Sequence, residues 1–319
     1  MNQLTRTFSV LLTVITLFFA VSCQKETTET GIQSEAATAK STMNPDTVPR
    51  KKSHQRRDKY TLTDTDDGKI LWRHVNGAIS LWTVDDDGNP ITAKEYGPYA
   101  NWRAINYADG KVLWRYTDGG ISLWTVDENG NKVSDKLYGP FAGWTAVNYA
   151  NHNILWRHTN GSISLWLVDN DGNYVSHKEF APIAGWTAVH YANQKILWRH
   201  NNGNISLWNL DEQGNFLGYH GYGPYQGWTA INYSDGKILW RHTNGGISIW
   251  SMDEQGQYLS YKEYPSIQGW TALNYANQRI LWKHTNNSIS LWRLDAQSNH
   301  LSYKEYGPYA GWIPLNYEN

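Results

Sequence analysis

Of the 319 residues only Cys23 is a cysteine, so no disulfide can form within the chain. Methionine, with three residues, and phenylalanine, with six, are also scarce. Net charge is almost absent at −1. Residues 1–59 hold nine of the 28 Lys and Arg and five of the 29 Asp and Glu, which leaves 19 basic against 24 acidic residues over 60–319. A mildly acidic surface does not suit a phosphate backbone, and nucleic acid is excluded as the expected partner. Long apolar runs are missing apart from Phe8–Ser22. No segment shows the 3.6-residue periodicity of an ordinary amphipathic helix.

The sequence is instead rich in tryptophan (18) and tyrosine (21), placed with a strict period. One tryptophan column is Trp72, Trp114, Trp156, Trp198, Trp240 and Trp282, and a second is Trp82, Trp124, Trp166, Trp208, Trp250 and Trp292. The third is Trp102, Trp144, Trp186, Trp228, Trp270 and Trp312. Each column advances by 42 residues, and together they use every tryptophan of six units running from Gly68 to Asn319. In the unit Gly236–Asn277, four segments rich in β-branched and aromatic residues read as strands: Lys237–His242, Ile247–Met252, Tyr258–Tyr264 and Trp270–Tyr275. Asn-Gly and Asp-x-x-Gly stretches supply the tight turns between them. Four strands per unit of about 40 residues is the signature of a β-propeller blade. The expected fold is therefore all-β, a six-bladed propeller over residues 60–319.

The phase of the blade follows from its links. The longest link, Gly97-Pro98-Tyr99-Ala100-Asn101 in the first unit, should be the crossover between blades. The Trp-Thr-Ala-x-Asn-Tyr segment is then innermost and the Tyr-Lys-Glu-Tyr segment outermost. On that phase the first blade lacks its innermost strand, and the spare C-terminal copy, Trp312–Tyr317, should supply it and close the ring. Tyr60–Asp66, a faint echo of the same strand, should lie outside.

Antiparallel strands alternate ends, so the crossover and the hairpin after Trp-Arg-His must share one face. That face gathers a basic column of Arg73, Arg115, Arg157, Arg199, Arg241 and Lys283. Beside it runs a histidine column of His74, His158, His200, His242 and His284, with Tyr116 in the second unit. Tyr99, Tyr225 and Tyr309 of the crossovers and the third tryptophan column complete the set. Aromatic rings stack on sugar faces while guanidinium and imidazole groups reach hydroxyls or carboxylates, so this set is the expected glycan-binding site. The competing reading is that tryptophans in strands pack between blades and that arginines stack on them structurally. The histidines are spread around a ring and do not form a metal set. Asp85-Asp86-Asp87-Gly88 and Asp169-Asn170-Asp171-Gly172 lack the spaced carboxylates of a calcium loop and read as turns. Departures from the repeat (Arg103, Tyr116, Leu137, His190, His220, Pro265 and Pro314) bring no new carboxylate pair and no Ser-His-Asp set. No enzyme, cofactor or metal is expected.

The N-terminus adds an address. Phe8–Ser22 has the length of a signal-peptide core and is short for a membrane span. The run Ala20-Val21-Ser22-Cys23 resembles a bacterial lipobox, although the usual pattern has Leu where this chain has Ala20. The resemblance implies cleavage after residue 22, lipidation of Cys23 and a membrane anchor on an exported envelope protein. Residues 23–59, polar and without periodicity, then read as a disordered tether, with a basic end at 50–59.

Over residues 68–319, the blades of similar length with Trp, Tyr, Gly and Asn-Gly or Asp-Gly at fixed offsets resemble the bacterial and fungal β-propeller lectins, the tachylectin-like and fucose-lectin-like groups. The likeness is one of architecture and composition. It implies a monomeric, multivalent binder of glycans or polysaccharide that does no catalysis. The alternative is a protein-interaction or envelope-scaffold propeller.

Overall fold

A computed structural model of the chain describes residues 67–318. The expected signal peptide (1–22), lipidated Cys23, tether (23–59) and the strand-like stretch at 60–66 lie outside the described residues. Strands and turns make up the described part, arranged as six four-stranded antiparallel sheets. Blades two to six run in chain order over 102–138, 144–180, 186–222, 228–264 and 270–306. The first blade is composite. Its strands Gly68–His74, Ile79–Val84 and Pro90–Tyr96 are completed on the inside by Trp312–Glu318, the last strand of the chain. Ring closure and blade phase are those read from the link lengths. The innermost strands run one residue further than Tyr, as in Trp270–Ala276.

Burial explains the composition of each strand. Ile238, Leu239 and Trp240 are consecutive in the second strand of blade five, and all three are buried. A strand buried on both faces needs an unbroken apolar run, and here the covering layers are the two neighbouring blades. The outermost strands are largely exposed, as in Tyr258–Tyr264, and they alone carry the polar alternation of a surface edge.

Each innermost strand carries a bulge, between Ala104 and Asn106 in blade two and at the equivalent place in the others. A bulge turns one residue out of the pleat and re-aims the next. Here it points Ile105, Val147, Val189, Ile231, Leu273 and Leu315 into a channel along the ring axis. The following asparagine reaches the next blade. Asn106 Nδ2 donates to the Tyr149 carbonyl at 2.7 Å, and the Tyr149 N–H donates back to Asn106 Oδ1 at 3.0 Å. Asn148, Asn232, Asn274 and Asn316 repeat this double bond to Tyr191, Tyr275, Tyr317 and Tyr107. The last of these joins the C-terminal strand to blade two and locks the closure.

Two further clamps act nearer the rim. Lys69, Lys111, Lys195 and Lys237 each donate from Nζ to a turn carbonyl of the next blade, and Arg279 donates from Nη2 to the Asp86 carbonyl of blade one. Tyr96, Tyr138, Tyr222, Tyr264 and Tyr306 donate their hydroxyls to the next blade's turn. Blade three departs from both patterns, with Asn153 in the lysine column and Phe180 in the tyrosine column. Its joint with blade four is the least clamped at the rim.

The inner ring has one departure of its own, His190 in the asparagine column. Burial pushes its imidazole down to about 4, against an ordinary value of 6.5, although contact with the Tyr233 backbone opposes the shift. Unfolding therefore takes up a proton between those values. The contribution is full above pH 6.5 and is lost as pH falls toward 4. Urea unfolding of His190→Asn should show a shallower loss of stability over that window than the parent. Equal slopes in the two proteins would mean that His190 titrates as it does in the unfolded chain.

Candidate functional site

The crossovers and the Trp-Arg-His hairpins share one face, as the strand directions require. The opposite face carries the Asp-x-x-Gly turns, whose carboxylates are spent on the turns themselves. Asp169 Oδ1 accepts from the Asn173 N–H at 2.7 Å and Oδ2 accepts from Asn173 Nδ2 at 2.9 Å. The Asn173 side-chain bond, with backbone N–H groups after it, holds that carboxyl below its usual range.

On the crossover face, the histidine column meets the third tryptophan column. His242 lies 4.9 Å from Trp228 ring to ring, and His74, His158, His200 and His284 pair the same way with Trp312, Trp144, Trp186 and Trp270. The Asn244 N–H donates to His242 Nδ1 at 3.2 Å, which leaves the proton of the neutral ring on Nε2. Nε2 packs against Gly227, where a Cβ would come within 2.3 Å. Nδ1 is thus held by the turn, and Nε2 is packed closely against the crossover backbone. Blade two solves the same packing differently. Tyr116 packs at a tilt on Trp102 at 5.0 Å, and Asn101 replaces the glycine at φ 68° and donates from Nδ2 to the Tyr116 hydroxyl at 3.3 Å. The two departures belong together.

The crossover tyrosines pack on the paired tryptophans of the blade they lead into. Tyr99 meets Trp114 and Trp124 edge-on at 5.7 and 5.5 Å, and those two rings lie 4.7 Å apart. Tyr225 and Tyr309 repeat the contact in blades five and one, Phe141 takes the place in blade three, and Ile183 and Ile267 stand at the position in blades four and six. In blade two these rings frame a recess of about 170 Å³, lined also by Trp102, Ser122, Leu137, Lys132 and Asp135. At its rim Lys132 pairs with Asp135 at 2.7 Å and sits 4.5 Å from the Trp124 ring centre.

Sequence reasoning assigned the first tryptophan column to the core and missed its indole N–H. Trp114 Nε1 and Ser122 Oγ are both buried and make no hydrogen bond, and both residues line the recess. The pattern recurs in blades three to six with Trp156 and Ser164, Trp198 and Ser206, Trp240 and Ser248, and Trp282 and Ser290. In blade one Trp72 Nε1 is likewise without a partner, but Ser80 Oγ is not, because it accepts from Trp82 Nε1 at 3.0 Å. A buried donor and hydroxyl left unsatisfied cost about 1–3 kcal/mol each, so their repetition demands a reason. The signal in the sequence was the invariant serine of Ile-Ser-Leu-Trp, a polar residue inside a buried strand.

The basic column goes elsewhere. Its side chains cross the innermost strands toward the ring axis: Arg241 Nη1 donates to the Ala272 carbonyl of the next blade's innermost strand at 3.2 Å. Arg73, Arg115 and Arg157 line the channel mouth on the crossover face together with Arg103. Arg199 and Lys283 hold the same register, opposite Thr187 and Thr271. The structure thus unites Tyr99 and Trp102 with the recess, sets the histidines behind the tryptophans, and separates the arginines from both.

No protein-family model matches the chain, and no curated protein matches it. Among solved structures, it is similar to apo AztD from Citrobacter koseri, at 8% identity over 79% of this chain and 97% of that one, with a TM-score of 0.47. It is also similar to a protein of unknown function from Bacteroides caccae, at 12% identity over 79% of this chain and 98% of that one, with a TM-score of 0.46. A third is the Dos1 propeller, at 12% identity over 74% of this chain and 67% of that one, with a TM-score of 0.41. These are loose likenesses of fold; the count of six blades rests on the strand pairing above.

The histidine–glycine packing makes a quantitative prediction. Gly227→Asn places a side chain against His242 and should destabilise the protein by about 1–3 kcal/mol. Adding His242→Tyr copies the Asn101–Tyr116 arrangement and should recover at least half of that loss in a double-mutant cycle. Strictly additive effects would show that the two departures in blade two are unrelated.

Proposed function

We propose that the protein is a non-catalytic, multivalent glycan binder whose sites are the aromatic recess framed in blade two and the equivalent ring sets of blades three to six. The observation that supports it is the unpartnered indole N–H and serine hydroxyl buried beside aromatic faces, repeated in blades two to six. A sugar offers matching groups, with hydroxyls for the donor and acceptor and an apolar C–H face for the rings. A recess of about 170 Å³, open to solvent at its rim, has the scale of a single sugar ring. Trp102, Trp144, Trp186, Trp228, Trp270 and Trp312, with Tyr99, Tyr225 and Tyr309, keep their place in this reading. The arginines and histidines, with Lys283, do not, because they are directed to the axis or held by the fold.

Each site is shallow, so single-site affinity should be about millimolar to micromolar, and a polyvalent surface should raise it by about 10²–10⁴. The expected address, an envelope membrane reached through lipidated Cys23, would place such a binder before polysaccharide. A specific observation favours a second reading, docking of another protein at the rim. Val133, Leu217, Leu259 and Leu301 of the outermost strands are 56–67% exposed, beside Tyr219, Tyr261 and Tyr303.

Screening the full-length protein on a glycan array separates the two. We expect binding to an immobilised neutral glycan that is lost in Ser122→Ala/Ser164→Ala/Ser206→Ala/Ser248→Ala/Ser290→Ala, a variant that removes only the hydroxyls and adds no bulk to the buried strands. Unchanged binding in that variant, with near-UV circular dichroism preserved, would remove the recesses as sites. A parent that binds no glycan while its outermost strands capture a protein partner would favour rim docking.

A further inference from the structure

The axial mouth on the crossover face holds a second and different arrangement. Four guanidinium side chains, from Arg73, Arg103, Arg115 and Arg157, line one recess of about 260 Å³. Its other walls are Thr145 and apolar residues of the innermost strands, with Ile105, Val147 and Leu315 as the floor. No carboxylate lines it. Among the described residues the arginines that form ion pairs are Arg279 and Arg293, both far along the chain and paired with Asp86 and Asp87. Arg73 Nη1 is buried and makes no hydrogen bond.

The fold creates this cluster on one side of the ring only. Three of the arginines belong to the repeated column, contributed by blades one, two and three. The fourth is a departure. Arg103 stands where blades three to six have Thr145, Thr187, Thr229 and Thr271, and it pairs in register with Arg115. A single substitution thus adds a positive charge where three already converge. Burial and neighbouring arginines hold both Arg73 and Arg115 below their usual range, the mark of cations that lack a counter-charge.

We propose that the Arg73–Arg103–Arg115–Arg157 recess binds a compact, multiply charged oxyanion of the phosphate class, one per chain. Guanidinium groups present planar pairs of N–H donors that match phosphate oxygens, and four of them around one recess, three half-buried and Arg103 exposed, hold such an anion better than a lone surface charge. The apolar floor stops the ligand at the mouth. The recess is small, about 260 Å³, a scale that suits a compact anion. This site is independent of the glycan recesses. It uses none of the residues of the blade-two recess or of the equivalent ring sets.

The test is calorimetric titration of the full-length protein with inorganic pyrophosphate at low salt. We expect one pyrophosphate per chain, with affinity falling as salt is raised. Arg103→Thr restores the residue of the other repeats and should fold normally, yet it should weaken binding at least tenfold. Arg157→Gln should do the same. Arg199→Gln, in the same register outside the recess, should leave binding unchanged. Absence of pyrophosphate binding, several equal sites per chain, or parent-like affinity in Arg103→Thr with an unaltered melting temperature would overturn the proposal. Binding of a sulfated heparin disaccharide without binding of pyrophosphate would also overturn it, by placing the anion on a glycan.

Discussion

An asparagine side chain bonded at both ends to the backbone of the neighbouring blade is the interaction on which the ring depends. A propeller has no continuous sheet. Its blades meet face to face through side chains, and apolar packing fixes their distance more firmly than their register. The bulge of each innermost strand frees a backbone N–H and C=O at the following tyrosine, and Asn106 and its counterparts satisfy both at once. Each bond contributes about 0.5–1.5 kcal/mol net, but leaving the groups bare at the axis would cost more. The last copy, Asn316 to Tyr107, converts the C-terminal strand from an edge into a closure.

Much of this was legible in the sequence because the chemistry is periodic. A 42-residue spacing of tryptophans gave blade number, and the length of the Gly-Pro-Tyr link gave phase and the closing strand. The face shared by crossovers and Trp-Arg-His hairpins followed from strand direction alone. What escaped was radial. Arg73 and Tyr99 lie on one face, yet an arginine from the second strand reaches inward over its neighbour while the crossover tyrosine packs outward on the next blade's rings. Strand order does not encode that choice; side-chain length and sheet twist do. The asparagine clamp escaped because its partner is backbone, which no residue letter reveals. Ser122 escaped because it sits in a strand whose other residues are core, and its hydroxyl matters only once Trp114 Nε1 is seen to be unpartnered beside it.

Repetition and departure then divide the work. Recurrent features, the paired tryptophans with their orphaned donors, favour several weak and equivalent sites. Unique features mark single events on the ring: Arg103 concentrates charge at one side of the axial mouth, and His190 interrupts the inner clamp between blades four and five. Phe180 and Asn153 loosen the rim between blades three and four. A chain of near-identical units acquires asymmetry at a few positions, each where a repeated partner is replaced.

Residue-resolved hydrogen exchange under native conditions tests the clamp most directly. Five tyrosine amides, at Tyr107, Tyr149, Tyr191, Tyr275 and Tyr317, donate to an asparagine Oδ1 of the preceding blade. The sixth, Tyr233, faces His190 and has no such acceptor. The asparagine clamp should give strong protection at the five and clearly faster exchange at Tyr233. Equal protection at all six, or slowest exchange at Tyr233, would contradict it and return the stability of the ring to apolar packing alone.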